Sequence, residues 1–269
     1  MSNSFIEQVD GIQQNISQHC FIGIIAKHYK DGSKYPEGNQ YSYSSDDLSN
    51  AISDNGGVPL ILTSGGKEII YANNDTDWKN CIPQNEKDIL IAQIGLCKGI
   101  ILQGGVESDA YEIFVANYCY NNNIPILGIC AGQNNMVRAL GGKSMPVPDL
   151  KEHNRDFYSI AHTITIKQNT KLFSMLNCTG IKVNSIHTNV IDPKSLEGTP
   201  FIISARDSSG NIEAVEIPDK PYFAIRFHPE SLRDNLEVGK EMNSFFDKFI
   251  KMCEKNRQVK RGDINDGRV

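Results

Sequence analysis

The chain has 269 residues, a hydrophobic fraction of 39%, a charged fraction of 22% and a formal net charge of −5, which suits a soluble globular protein with chain enough for a sizeable core. That balance, with no basic cluster before the tail, argues against a nucleic-acid partner, and no apolar run approaches membrane-spanning length. Seven cysteines without a Cys-x-x-Cys pair indicate neither a disulfide framework nor a zinc site, and a polar start with no secretory leader makes the cytoplasm the expected compartment.

After the polar segment 1–19, residues 20–26 read as a first buried strand. A loop over 27–43 follows, with Gly32, Pro36 and Gly38 as breakers, and its tyrosines are candidates for a pocket mouth. Ser45-Asp46-Asp47 offers an N-cap for a helix over 48–54 that Asn55-Gly56-Gly57 ends. Residues 58–62 form the next strand, and 63–83 is irregular, with a turn at Asn73-Asn74-Asp75. Helical periodicity over 86–97 leads to a strand at 100–102, the loop Gln103-Gly104-Gly105, and a helix over 109–120 capped by Ser108. Continuously apolar strands alternating with helices predict a parallel sheet with right-handed crossovers.

The stretch 124–142 carries the chemistry. An apolar run from Ile124 to Ile129 passes through Gly128-Ile129-Cys130-Ala131-Gly132 into a helix that Gly141-Gly142 stops. Small residues either side of one nucleophile, between strand and helix, form the thiol version of a nucleophile elbow. A cysteine there sits at a helix N-terminus, where unpaired N–H groups favour an anion. Beyond it, strands are expected at 162–167, 182–186, 201–205, 212–217 and 222–227, with a hairpin turn at 207–211. The last of these ends in His228-Pro229-Glu230, where His228 and Glu230 point to the same side, so the carboxylate can orient the imidazole. An amphipathic helix over 236–253 closes the domain, and 254–269 is a charged tail. With no repeat and no linker, residues 20–253 read as a single catalytic domain.

In consistent order from Phe21 to Cys253, these features resemble the class I glutamine amidotransferase-like superfamily with its Cys-His-Glu triad. The Peptidase C26 group, which includes γ-glutamyl-γ-aminobutyrate hydrolase, looks nearest. The resemblance rests on the elbow and His-Pro-Glu, and also on Gly56-Gly57-Val58-Pro59, Gln103-Gly104-Gly105, Asn184-Ser185-Ile186-His187 and Ile212-Glu213-Ala214. It implies an α/β, flavodoxin-like, mostly parallel sheet flanked by helices, with an antiparallel or mixed extension. It implies Cys130 as nucleophile, His228 as base and Glu230 as its orienter, with Gly105 and Ala131 N–H groups forming the oxyanion hole. Substrate-binding positions would be Gly104, Gln133, Asn134, Ser185 and His187. The sequence departs from the group at Ala131, at Asn134 where a glutamine is usual (Gln133 stands one place early), and at His187-Thr188-Asn189.

The activity this implies is cysteine-dependent hydrolysis of γ-glutamyl amides through a thioester on Cys130. The alternatives are a glutaminase subunit supplying ammonia to a separate synthase, and a catalytically impaired binding or regulatory homologue. No cofactor and no metal are expected. The expected partners are a small γ-glutamyl substrate and water, neither nucleic acid nor membrane, and a homodimer is compatible with the chain.

Overall fold

The computed structural model describes residues 18–29, 41–64, 78–105, 109–153 and 155–260. Nine strands form its main sheet. In chain order they are β1 (Cys20–Ile25), β2 (Gly57–Leu62), β3 (Gly99–Leu102), β4 (Ile126–Ile129), β5 (His162–Ile166), β6 (Gly180–Val183), β7 (Ile202–Asp207), β8 (Ile212–Ile217) and β9 (Tyr222–Ile225). Across the sheet the order is β2-β1-β3-β4-β9-β8-β7-β5-β6. From β2 to β9 the neighbours run parallel; from β9 to β6 they run antiparallel. This is the expected α/β architecture with its antiparallel extension.

The side-chain alternation of a strand supplies both faces of the sheet with core. On one face Ile22, Ile24 and Leu127 pack with Phe245, Phe246 and Phe249 of the closing helix Gly239–Lys260. On the other, Ile100, Leu102 and Ile126 pack with Ile113, Val115 and Ala116 of the helix Ala110–Asn121. Each large apolar side chain so buried contributes roughly 1.5–3 kcal/mol. With both faces covered, the carboxyl ends of the parallel strands form the open edge, where ligands collect in open α/β sheets. Lys27 lies beyond β1, Gln103 to Gly105 follow β3, Cys130 follows β4 and His228 lies beyond β9.

Several elements differ from the sequence expectation. The strand expected over 182–186 is β6, which ends at Val183 because the Asn184 side chain is committed to the backbone of residue 228. The loop over 27–43 begins and ends in an antiparallel ribbon, Lys27–Tyr29 with Tyr41–Tyr43; Gly32, Pro36 and Gly38 lie outside the described residues. So do Asn73-Asn74-Asp75 and Ser108. The described cap of helix Ala110–Asn121 is Asp109, whose carboxylate accepts from Tyr111 N–H at 2.9 Å. A helix Lys171–Leu176, capped by Thr170, was not foreseen. The closing helix starts at Gly239 rather than 236 and continues past Cys253 to Lys260. Among the described residues no helix is long and apolar enough to cross a membrane.

Candidate active site

Cys130 occupies the turn between β4 and the helix Ala131–Ala139 with φ 53° and ψ −108°. A side-chain-bearing residue held there costs on the order of 1–3 kcal/mol, so the surroundings must impose it. They do so from three sides. Cys130 N–H donates to Ile225 O at 2.9 Å, Gln133 N–H donates to Cys130 O at 3.0 Å, and Arg226 Nη1 donates to the same oxygen at 3.2 Å. The helix can begin this tightly because Gly132 lacks a Cβ, which would stand 2.1 Å from Leu102 O.

His228 is fixed at both backbone and ring. Its N–H donates to Asn184 Oδ1 at 2.8 Å, and Asn184 Nδ2 donates to its carbonyl at 3.0 Å, a reciprocal amide pair across 44 residues. On the ring, Nδ1–H donates to Glu230 Oε1 at 2.7 Å. Phe157 packs edge-on, its centroid 4.8 Å from the imidazole's. The opposite contact is Gly104, where a Cβ would meet His228 Cε1 at 2.4 Å and Cys130 Cβ at 3.4 Å. A glycine is therefore required for the ring and the thiol to meet.

Among the described residues the remaining ring nitrogen, Nε2, has no partner at ordinary hydrogen-bond geometry. The Cys130 thiol nevertheless bears on the ring by charge and by a looser hydrogen bond, as is common before substrate binds. Burial opposes a charge on this ring, but the Glu230 carboxylate and then Cys130 more than offset it, and its pKa is pushed up to about 10. An imidazolium next to a cysteine favours the thiolate.

Gly105 has φ +132°, which only glycine adopts without strain, and it rests on the Lys27 side chain. Beneath it, Lys27 Nζ sits 2.6 Å from Glu112 Oε1, both side chains buried, and Asn135 Nδ2 donates to the other carboxylate oxygen. Gln103 ties this loop to its neighbours: its Nε2 donates to Ile25 O and Tyr43 O, and its Oε1 accepts from Ser45 N–H. Ser45 holds the N-cap position of the helix Asp46–Asp54 without a side-chain cap.

The other sequence candidates are spread differently. Ile186 O approaches Cys130 Sγ at 4.0 Å, but the neighbouring side chains turn away. Ser185 Oγ donates to His153 O, and His187 Nδ1 donates to Asn189 O. Asn134 Oδ1 accepts from Arg226 Nη2 at 2.5 Å, and Gln133 Nε2 reaches Ala224 O at 3.5 Å. Ala131 is buried. Arg226, Lys27 and Glu112 were not singled out by the sequence, and Asn184 only as part of the block 184–187. A charged residue inside an apolar strand run was the available signal for Arg226.

A cleft of about 240 Å³ opens onto His228 and Gly104, walled by Tyr43, Asp47, Phe157 and Tyr158. It adjoins a second cleft of about 540 Å³ that shares Asp47 and Tyr158 and adds Asp54 and Asp234. Tyr43 thus stands at a pocket mouth.

The fold is similar to that of the solved glutaminase domain of Trypanosoma brucei CTPS, with a TM-score of 0.58 at 15% identity over 88% of this chain and 94% of that one. Residues 103–230 match the Peptidase C26 family model. A GMP synthase [glutamine-hydrolyzing] of Francisella philomiragia is 28% identical over 58% of this chain and 28% of its own length. The γ-glutamyl-γ-aminobutyrate hydrolase of Escherichia coli K12 is 26% identical over 54% of this chain and 60% of its own length. The matches therefore cover less than two thirds of these relatives. A solved chain from Thermoplasma acidophilum, assigned to GMP synthase, superposes with a TM-score of 0.60 at 17% identity, over 90% of this chain and 98% of that one.

Proposed function

We propose that the chain hydrolyses γ-glutamyl amides, with Cys130 as nucleophile, His228 as acid and base, and Glu230 as its orienter. The observation that carries the reading is a strained cysteine at a helix N-terminus, interacting with an imidazole whose far nitrogen is held by a carboxylate at 2.7 Å. The thiolate attacks the γ-carbonyl. Its oxyanion is received by the backbone N–H groups of Gly105 and Ala131. The C–N bond then breaks as His228 Nε2 gives its proton to the leaving amine, leaving a γ-glutamyl thioester. Water loses a proton to His228 and attacks the thioester, releasing glutamate and the thiol. Gly104 and the Ile186 carbonyl border the γ-glutamyl group.

The standalone hydrolase is preferred over an ammonia-supplying subunit because the cleft beside His228 has room for an amine larger than ammonia. The GMP synthase relatives favour the second reading and make glutamine the control substrate. The test is steady-state kcat/KM of the isolated chain on γ-glutamyl-γ-aminobutyrate, a γ-glutamyl dipeptide, its α-linked isomer and glutamine. The γ-linked amides are expected to be cleaved faster than glutamine, the α-isomer far more slowly, and Cys130→Ala to cleave none. Activity confined to glutamine, or appearing only with a second protein, would replace the hydrolase reading with the synthase-coupled one.

A further inference from the structure

Away from the nucleophile, the antiparallel half of the sheet gathers histidines and carboxylates that the proposed hydrolysis does not use. His162 opens β5, Glu213 lies on β8, His153 ends the short helix Leu150–His153, and His187 follows the segment after β6. Donor atoms of His153, His162 and Glu213 all lie within 4.8 Å of one another. His162 Nε2 is 3.5 Å and His187 Nε2 3.9 Å from Glu213 Oε1. The rings of His153 and His162 are 5.0 Å apart between centroids, and those of His153 and His187 4.9 Å.

His187 Nδ1 carries the ring proton, because its partner at 3.1 Å is the Asn189 carbonyl, which only accepts. Its Nε2 is thereby left to present a lone pair toward the Glu213 carboxylate, 3.9 Å away. A backbone carbonyl on the far nitrogen is also how ligating histidines are usually oriented. Glu213 itself has 0% exposure, and neither of its oxygens accepts a hydrogen bond among the described residues. A buried carboxylate left so is costly unless it is paired or binds a cation. Arg226 lies opposite Glu213 across the strand pair, but both its terminal nitrogens donate elsewhere, to Cys130 O and Asn134 Oδ1, and neither to the carboxylate. Asp207 Oδ2, 3.3 Å from His153 Nε2, adds a second negative charge.

We infer that His153, His162 and Glu213, with His187 as the fourth donor, form a buried site for one zinc ion. Imidazole and carboxylate donors at this spacing can close on a tetrahedral ion with bonds of roughly 2.0–2.2 Å after small side-chain shifts. Such an ion would bind β5, β8 and residues 150–153 and 184–187 together, and hold Ile186 O against the nucleophile. Its role is structural. The inference stands whether or not the hydrolase reading does.

The test uses the full chain carrying Cys130→Ala, so that the candidate nucleophile cannot hold the metal. The protein is stripped with chelator, loaded with zinc chloride and passed through gel filtration. Expected are about one retained equivalent, a raised Tm, and an X-ray absorption edge showing only N/O neighbours near ~2.0 Å. In Glu213→Gln, zinc affinity should fall by more than about tenfold. The inference is overturned if the parent retains no zinc, if sulfur appears in the shell at about 2.3 Å, or if Glu213→Gln binds as tightly. Should that variant fold poorly, the metal content and edge spectrum of the parent decide alone.

Discussion

Glu112, on the helix Ala110–Asn121, and Glu213, on β8, are both removed from water, yet their surroundings differ. Glu112 has Lys27 at 2.6 Å and the Asn135 amide, and the three form a closed support under the Gly105 turn. Glu213 has imidazoles at 3.5 and 3.9 Å, and its carboxylate accepts no hydrogen bond among the described residues. Burial is therefore no guide to what a carboxylate does. Partners that are complete make a support, and partners that are incomplete mark a place where a cation is called for. Glu230 is the third case, with one oxygen held on His228 and its charge used to keep that ring protonated.

The largest expected effect is at Glu230. Glu230→Gln removes the charge while keeping the shape, and kcat on a γ-glutamyl amide should fall by roughly 10³–10⁴ if the carboxylate orients the imidazole. The pH profile sharpens this. Since the folded ring is pushed up to about 10 from 6.5, the wild-type kcat/KM should hold through neutral pH and fall as pH approaches about 10. In residual Glu230→Gln activity that fall should move to lower pH. The same shift acts on folding: its stabilisation is complete below about 6.5 and is lost as pH rises through about 10. A profile unchanged by Glu230→Gln would remove Glu230 from the mechanism.

Next in size is Lys27→Met, which leaves Glu112 buried without its cation and should cost about 3–5 kcal/mol by urea unfolding. Burial, less the pull of Lys27, already raises Glu112 to about 7. A group raised in this way binds protons more readily when folded, so stability falls as pH rises through that region. The Lys27→Met loss should accordingly be smaller at pH 5 than at pH 8. The smallest effect is expected at Glu213. In metal-stripped protein, Glu213→Gln should cause no loss of stability by urea unfolding, because it removes a buried charge that accepts no hydrogen bond among the described residues. A loss as large as that of Lys27→Met would show Glu213 to be paired after all, and the contrast would collapse.

The parallel half of the sheet was legible in the sequence because its strands read as short apolar runs, and the elbow and His-Pro-Glu are local signals. What escaped was non-local. Asn184 reads as a strand residue until its amide is seen to close on the peptide of residue 228, ending β6 early. His153, His162, His187 and Glu213 are spread over 60 positions of chain; antiparallel pairing brings His162 near Glu213, and His153 and His187 reach them from outside the strands. The expectation of no metal came from cysteine spacing, which says nothing about histidines. Lys27 likewise reads as a loop residue, and nothing local marks Glu112 as its partner.

Gly104 has one more consequence. The imidazole of His228 stands where the first side-chain carbon of any other residue would be, 2.4 Å from Cε1. Alanine at 104 cannot coexist with the ring in its present position, although it alters no group assigned a chemical role. Glycine and alanine codons differ by a single base. A lineage carrying this fold can therefore be silenced in one mutational step, with its strands, helices and Cys-His-Glu letters all intact. Descendants retired in that way would look catalytic to any inspection of those letters, and residue 104 is where they would be told apart.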